Sequence, residues 1–258
     1  MEISFYKYQG TGNDFVIIDN RNQTFPKSDT NVVAHLCDRK FGVGADGLLL
    51  LENHDTVDFT MVYYNADGNL SSMCGNGGRC IVHFANHLGI ISEKARFEAV
   101  DGMHDASFTA AGVSLKMNDV FELRKEANCC FLDTGSPHHV EIVNDITNYA
   151  VFKEGRLIRE DVYGAEGANV NFVEAKGGNT FAVRTYERGV EDETLSCGTG
   201  VTAVAIAMFD MGMTPEHKVT LQTQGGDLVV SFEKTKNGYQ NVFLEGPAVQ
   251  VYKGIWTC

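Results

Sequence analysis

The sequence lacks several features that would place it in common classes of protein. Its longest apolar stretches, 48–51 and 201–209, are far shorter than the roughly 20 residues of a membrane-spanning helix. Its first residues, 1–7, contain no apolar signal region, so we expect a cytoplasmic protein without a membrane partner. Basic residues number 21 against 34 acidic ones, and the resulting net charge of −13 argues against binding to nucleic acid.

Proline and paired cysteine motifs are also scarce. The chain has 4 prolines and 7 cysteines, and no two cysteines have the Cys-x-x-Cys spacing of a zinc or redox site. An odd number of cysteines in a chain of 258 residues favours reduced thiols over a disulfide framework. We therefore predict no metal site.

Two of the cysteines begin the same short motif. Cys74 starts Cys-Gly-Asn-Gly and Cys197 starts Cys-Gly-Thr-Gly, and in each case an apolar segment follows and ends at a glycine. This pattern predicts a cysteine at the N-terminus of a helix, twice. A single such cysteine is a weak signal, because free cysteine is more often a small core residue.

The distance between the motifs indicates an internal duplication. Cys197 follows Cys74 by 123 residues (197 − 74). The same offset relates Thr11-Gly12 to Thr134-Gly135, Tyr63 to Tyr186, Gly75 to Gly198, Gly77 to Gly200, Gly89 to Gly212 and Gly102 to Gly225. One register kept over most of the chain predicts two halves of similar fold.

The helices after the cysteines indicate the fold class. Segments 81–88 and 201–209 have few polar residues on any side, so each helix must be surrounded by other structure. Short strand-like segments separated by glycine and asparagine turns surround them in sequence, and 31–40 has the spacing of a further helix. We predict an α+β protein of two pseudo-symmetric halves, each a bent antiparallel or mixed barrel-like sheet wrapped around a central apolar helix.

The halves are predicted to span 1–118, with Cys74, and 119–246, with Cys197, because the repeat restarts near 119–126. A helix N-terminus attracts a carboxylate and lowers the pKa of a thiol placed there. Two such cysteines could remove a proton from one face of a carbon and return one to the other. Gly75, Gly77, Gly198 and Gly200 either form turns with positive φ or allow close approach of a carboxylate.

The other candidate residues have ordinary explanations when taken singly. Asn13 and Asn65 lie in turns, and Glu187-Arg188 could be a solvated charge pair. Arg188 is the repeat equivalent of Asn65, however, and matched polar groups in both halves favour a shared role. His138, in a loop, could orient or polarise a reacting centre. The remaining cysteines are interpreted as structural: Cys37, Cys80, Cys129, Cys130 and Cys258.

At these residues the sequence resembles diaminopimelate epimerase, of the cofactor-independent amino-acid racemase family. The resemblance covers nearly the whole chain and includes 10–15, 65–68, 73–77, 135–138, 167–172, 187–189 and 197–200. It implies epimerisation of a small diamino-dicarboxylate, LL- to meso-diaminopimelate, in lysine and peptidoglycan precursor biosynthesis. It also implies no pyridoxal phosphate or other cofactor. The last strand, about 247–258, is expected to return to the first half, and a homodimer is left open.

The resemblance also implies the roles of individual residues. The catalytic set is Cys74, Cys197, His138 and Glu187. The substrate contacts are Asn13, Asn65, Gly75, Asn76, Asn169, Glu187, Arg188, Gly198 and Thr199, with Ser136 as a further candidate. The chain departs from the family pattern at Ser136, where asparagine is common, and at Gly47, where some members have a substrate-binding glutamine.

Two alternatives remain open on the sequence. Another member of the same fold, such as a proline racemase or hydroxyproline epimerase, shares Cys-Gly-x-Gly but usually has histidine in place of Asn76. A redox sensor that uses Cys74 and Cys197 as a thiol switch would not need Asn65, Asn169 or Arg188. A catalytically inactive relative is disfavoured by the intact cysteine pair.

Overall fold

A computed structural model describes residues 2–71, 73–126 and 128–257, so Cys258 lies outside the described residues. The chain divides into two units, Met1–Leu115 with Gly246–Cys258, and Lys116–Glu245. The sequence predicts the boundary between the halves at 118/119 and assigns the last strand to the first half.

The first unit contains a mixed sheet and two helices. Its elements, in order, are β1 (Glu2–Gly10), β2 (Asn13–Asp19), α1 (Thr30–Cys37), β3 (Gly47–Glu52), β4 (Phe59–Asn65), α2 (Gly75–His87), β5 (Lys94–Ala99), β6 (Gly102–Thr109) and β7 (Gly112–Lys116). The next ten elements belong to the second unit: β8 (Leu123–Lys125), β9 (Cys129–Asp133), β10 (Pro137–Ile142), α3 (Val151–Leu157), β11 (Asn169–Gly177), β12 (Thr180–Glu187), β13 (Asp192–Thr194), α4 (Gly198–Asp210), β14 (Lys218–Thr223) and β15 (Gly226–Thr235). The strands β16 (Gly238–Gly246) and β17 (Val249–Thr257) complete the chain.

The two units have the same sheet topology. In the first, β1 pairs antiparallel with β2, β2 parallel with β3, β3 antiparallel with β4, and β4 parallel with β5. In the second, β9–β10, β10–β11, β11–β12 and β12–β14 repeat this sequence of antiparallel and parallel pairs. The outer strand β17 pairs with β1 as β8 pairs with β9. The prediction of two pseudo-symmetric α+β halves is therefore confirmed.

A buried helix lies at the centre of each unit. In α4 the buried residues run without a break from Gly200 to Met208, and the apolar side chains among them belong to the main core of the second unit. In α2 they run from Gly75 to Val82 and continue at Phe84 and Ala85. Helices α2 and α4 also begin and end at positions 123 apart, as the sequence offset predicts. Among the described residues, no helix is long and apolar enough to cross a membrane.

The structure corrects three details of the sequence interpretation. Helix α1 ends at Cys37 rather than 40, because the Asp38 carboxylate accepts hydrogen bonds from the backbone N–H groups of Lys40 and Phe41 and so forms a turn. The structural equivalent of Gly102 is Gly226, not Gly225: each begins the second strand of a hairpin, with φ of 121° and 134°. Helix α3 is an addition that the sequence interpretation does not include.

Candidate functional site

Cys74 and Cys197 occupy the same position in their units, the N-cap of the central helix. Cys74 has φ −113° and ψ 125°, and Cys197 has φ −118° and ψ 115°. Each cysteine carbonyl accepts the first hydrogen bond of its helix, from Gly78 N–H at 2.7 Å and from Val201 N–H at 2.9 Å. Each thiol is therefore at a helix end, where first-turn N–H groups have no partner within the helix and the dipole favours negative charge.

The glycines after each cysteine belong to the first helical turn. Gly75, Gly77, Gly198 and Gly200 are all helical, and none has positive φ. The interpretation of these residues as positive-φ turn formers is therefore wrong. At Gly200 the need for glycine is steric, because a Cβ there would lie 2.4 Å from Asn171 Oδ1.

In the first unit, amide side chains connect Cys74 to a carboxylate. Asn13 donates from Nδ2 to Asp46 Oδ2 at 2.6 Å, which orients Asn13 Oδ1 towards Cys74 Sγ at 3.5 Å. Asn76 donates from Nδ2 to the same Asn13 Oδ1 at 3.4 Å, and its own Oδ1 accepts from Arg79 at 3.0 Å. Asp46 can only accept and Arg79 can only donate, and they stand at the two ends of this series of hydrogen bonds. The oxygen and nitrogen of each side-chain amide are therefore assigned.

Charged residues support Asn13 from the opposite side. Arg39 bridges Asp14 and Asp46 with hydrogen bonds of 2.6 and 2.7 Å, and Lys7 forms an ion pair with Asp14. Burial would raise the pKa of Asp14, but hydrogen bonds from Arg39 and Lys7 outweigh that effect and lower the pKa to about 2. Both carboxylates that support Asn13 are therefore held by cations.

The tight hairpin between β1 and β2 places Asn13 beside these groups. Gly10 pairs with Asn13 across a two-residue turn formed by Thr11 and Gly12, whose φ values are 50° and 88°. Positive φ at both positions is the signature of a type I′ turn, which matches the twist of the strands it joins. The predicted hairpin is confirmed.

Asn65 lies at the end of β4, where it is exposed and pairs with Gly47. No side-chain hydrogen bond joins Asn65 to another described residue, so its amide is accessible to a ligand. A Cβ at Gly47 would lie 2.5 Å from both the Tyr63 ring and the Tyr64 carbonyl oxygen. Position 47 therefore accommodates glycine and leaves no space for the glutamine of some relatives.

In the second unit, His138 is fully buried among amides. Asn171 donates from Nδ2 to the His139 carbonyl at 2.9 Å and faces His138 Nδ1 at 3.1 Å, while its Oδ1 accepts from Thr185. Because the Asn171 Nδ2 group can only donate, Nδ1 is the acceptor in this contact. A longer contact of 3.5 Å joins His138 Nε2 to Asn169 Nδ2. Burial, assisted by the charge of Arg188, lowers the pKa of His138 to about 3, so the ring is neutral near pH 7.

Asn169 connects two other predicted residues, Ser136 and Arg188. Its Nδ2 donates to Ser136 Oγ at 2.9 Å and to the Pro137 carbonyl at 3.3 Å, and its Oδ1 accepts from the Arg188 backbone N–H at 2.9 Å. Ser136 thus binds Asn169 through its hydroxyl. The Arg188 side chain is exposed, donates to the Glu166 carbonyl at 2.9 Å, and forms no ion pair with the described residues.

The loop after β12 is held by an acidic side chain that the sequence interpretation missed. Glu191 has φ 56°, which is costly for a non-glycine residue. Its carboxylate accepts from Gly189 N–H at 3.0 Å, from Arg159 at 3.1 Å and from the Tyr186 hydroxyl at 3.2 Å. These contacts stabilise the turn that carries Arg188.

The remaining catalytic candidates of this unit, Glu187 and Cys197, each lie next to a threonine hydroxyl group. Glu187 accepts a hydrogen bond from the Thr194 hydroxyl at 2.9 Å. Cys197 Sγ lies 3.5 Å from Thr199 Oγ1, and the Thr199 carbonyl accepts from the Thr134 hydroxyl at 2.9 Å. The sulfur therefore has a hydroxyl beside it as well as the helix N-terminus.

Each unit thus brings its own predicted residues together. In the first, Asn13, Gly75 and Asn76 surround Cys74, while Asn65 stands apart on β4. In the second, His138, Ser136, Asn169 and Arg188 form one hydrogen-bonded network, and Thr199 contacts Cys197. Residues that the sequence interpretation missed are the supports of these groups: Asp46, Arg79, Asn171 and Glu191.

The other described cysteines have different surroundings. Burial raises the pKa of Cys37 and Cys80 to about 12 and that of Cys130 to about 11. Burial and the nearby Glu126 raise the pKa of Cys129 as well. None of the four is the N-cap of a helix, so they fit the structural role predicted for them.

The fold has known relatives among solved structures. A PhzF-family phenazine biosynthesis protein from Bacillus anthracis superposes with a TM-score of 0.80 at 13% identity and full coverage of both chains. A hydroxyproline epimerase from Agrobacterium vitis superposes with a TM-score of 0.71 at 13% identity, covering 99% of this chain and 92% of the other. At this level of identity the two superpositions show that the chain shares the two-unit fold of these proteins.

The sequence comparisons define the family. The family model for diaminopimelate epimerase matches residues 5–120 and 130–251. The diaminopimelate epimerase of Flavobacterium psychrophilum is 54% identical over 253 residues, covering 97% of this chain and 99% of the relative. That of Chlorobaculum tepidum is 43% identical over 258 residues, covering 96% and 99%. The chain belongs to the diaminopimelate epimerase family.

Proposed function

We propose that the protein epimerises LL-2,6-diaminopimelate to meso-diaminopimelate, with Cys74 and Cys197 as the acid–base pair. The observation that carries the proposal is the repetition of one feature in a member of this family: a cysteine N-cap at equivalent positions of both units, with nearly the same backbone angles. Packing alone does not require a thiol at the N-terminus of both helices, whereas an acid–base pair of cysteines does.

Epimerisation inverts one α-carbon, so a proton leaves one face and another arrives at the opposite face. One cysteine, as thiolate, removes the α-proton, and the electron pair of the broken C–H bond moves towards the carboxylate. The other cysteine, as thiol, gives its proton to the carbon. After one turnover the first cysteine is the thiol and the second is the thiolate. The reaction uses no pyridoxal phosphate.

The N-termini of α2 and α4 supply the electrostatic part of this chemistry. Their first-turn N–H groups, which include those of Gly75, Asn76, Gly198 and Thr199, suit the α-carboxylate and the charge that develops on it during proton removal. Glycine at the first helical position lets a carboxylate approach the backbone closely. Stabilisation that increases as the charge develops lowers the barrier rather than only improving binding.

The distal end of the substrate carries a second carboxylate and an ammonium group. The exposed guanidinium of Arg188, without an ion pair among the described residues, is the candidate for that carboxylate. Asn65, Asn169 and Glu187 are further candidates for substrate contacts, with Asn13 beside Cys74. Neutral His138 acts through Asn169 and Asn171 in this scheme and donates no proton of its own.

The proposal is tested by replacing each cysteine and following deuterium. In D₂O, the product epimer should carry solvent deuterium at Cα from the first turnover, while recovered substrate stays almost unlabelled early in the reaction. Cys74→Ala and Cys197→Ala should each abolish epimerisation. Cys129→Ala, which changes a half-buried thiol on β9, is the matched control and should retain activity.

The outcome also separates the alternatives. Substantial epimerisation by either alanine variant would exclude the two-cysteine mechanism. Turnover of proline or hydroxyproline in place of diaminopimelate would assign the chain to another substrate class. A wild-type protein that turns over none of these substrates would favour the redox sensor. We propose the cytoplasm as the compartment, since the reaction needs reduced thiols, and a homodimer as the assembly to be tested.

A further inference from the structure

Arg79 is a buried charged residue to which the proposed reaction assigns no role. Its side chain, on the first turns of α2, is completely inaccessible to solvent. It donates to the carbonyls of Pro247 and Gly75 at 3.4 and 3.3 Å, to Thr11 Oγ1 at 3.2 Å and to Asn76 Oδ1 at 3.0 Å. All four acceptors are neutral, so these hydrogen bonds satisfy the N–H groups without balancing the charge.

A buried cation without an anion is costly, since its hydration is lost and nothing replaces it. Among the described residues no carboxylate pairs with Arg79. Its ionisable neighbours are the thiols Cys80 and Cys74, on the same helix. Burial raises the pKa of Cys80 to about 12, which keeps that thiol neutral. Cys74 is therefore the neighbour that can supply negative charge.

The internal repeat provides the comparison. The residue of α4 at the position of Arg79 is Thr202, also fully buried, whose hydroxyl donates to the Gly198 carbonyl at 2.9 Å. Arg79 donates to the equivalent carbonyl, that of Gly75. The two residues thus make the same backbone contact, but one brings a positive charge to its helix and the other brings none.

We infer that Arg79 stabilises the thiolate of Cys74, and the carboxylate charge bound at the N-terminus of α2, through a buried positive charge that has no counterpart at the equivalent residue of the Cys197 half, Thr202. This positioning role rests on the proposed function, because it concerns the same two thiols. Asn13 Oδ1 opposes the effect, since it accepts a hydrogen bond from the thiol form only. The remaining charged groups near Asn13 are Lys7, Asp14, Arg39 and Asp46, and the variants below leave them unchanged.

The test is the pH dependence of alkylation by iodoacetamide, measured separately for Cys74 and Cys197 by peptide mapping. Only the thiolate reacts, so the midpoint of each rate profile reports the thiol ionisation. Arg79→Gln removes the charge and keeps hydrogen-bonding capacity. We expect the Cys74 midpoint to rise by about one pH unit, as loss of a nearby opposite charge predicts, with no change at Cys197.

Three further variants complete the design. Arg79→Lys keeps the charge and should leave the Cys74 midpoint near its wild-type value. Arg79→Met, an apolar residue of similar length, is the second neutral variant if glutamine prevents folding, and it should give the same rise. Thr202→Val is the matched control in the other half and should shift neither cysteine.

An unchanged Cys74 midpoint in a folded neutral variant would overturn the inference, and so would equal shifts at both cysteines. The alkylation profile does not depend on turnover. A shift confined to Cys74 would therefore support the inference even if diaminopimelate proved not to be the substrate.

Discussion

The buried, neutral His138 should make the protein less stable as the pH falls, by an amount that the structure allows one to calculate. An exposed histidine in the unfolded chain has a pKa near 6.5, whereas burial lowers that of His138 to about 3. Below pH 6.5 the unfolded chain therefore binds a proton that the folded protein does not. Stability is lost progressively as the pH falls through 6.5, and the loss levels off near pH 3.

The magnitude follows from the pKa difference. Each pH unit between the two pKa values costs about 1.4 kcal/mol, so His138 should remove about 2 kcal/mol of unfolding free energy at pH 5 relative to pH 7. Burial also lowers the pKa of His83 and His139, which changes stability in the same direction. Comparison with a variant is therefore needed to isolate His138.

His138→Asn is the suitable variant, because an amide oxygen can accept the hydrogen bond that Asn171 gives to Nδ1. Urea denaturation followed by circular dichroism at pH 7, 6 and 5 should show that the wild type loses about 2 kcal/mol more than the variant over this range. Equal losses in the two proteins would refute the assignment of a buried neutral imidazole. The acid limb of the pH–rate profile should not move in the variant, since His138 does not titrate there.

Two further changes test the substrate end of the site and the departure from the family at position 47. Arg188→Ala should lower kcat/KM for diaminopimelate by the equivalent of roughly 2–5 kcal/mol. Arg188→Lys keeps the charge but not the planar guanidinium, so its kcat/KM should lie between those of the wild type and the alanine variant. Unchanged kinetics in the alanine variant would exclude the distal carboxylate contact. Gly47→Gln should lower the unfolding free energy by roughly 1–3 kcal/mol, because its Cβ would overlap the Tyr64 carbonyl oxygen; calorimetry showing an unaltered midpoint would contradict this.

The repeat makes much of the architecture predictable. Because Cys74 and Cys197 stand in one register with matched glycines, the two central helices and their caps can be located from the amino-acid sequence alone. The short alternating segments also indicate strands. Strand β5 escapes this reasoning, although its alternation of exposed and buried residues at Lys94–Ala99 is regular. Its charged positions reduce the apolar signal that a period of two otherwise gives.

The supports of the site could not be predicted in the same way. Asp46 and Asn13 are 33 residues apart in sequence and meet only because β2 and β3 pair in parallel. Asn171 reaches His138 through the parallel pairing of β10 and β11. Such long-range contacts leave no local periodicity. Arg79 did leave a signal, since a lone arginine in a helical segment with few polar residues is rarely fully buried without a partner.

The differences between the halves are as informative as their similarity. The N-cap geometry is nearly the same in both, which is what an acid–base pair that exchanges roles in the two directions of the reaction requires. The neighbouring residues have diverged: amides and a buried guanidinium lie near Cys74, whereas a hydroxyl lies beside Cys197 and the exposed guanidinium of Arg188 belongs to that half. Under the proposed function, the substrate has one reacting carbon and one distal charged end, so the surroundings of the two cysteines need not be the same. Selection for such a substrate in a duplicated fold would therefore keep the cysteine N-cap in both units and let the residues around each cysteine differ.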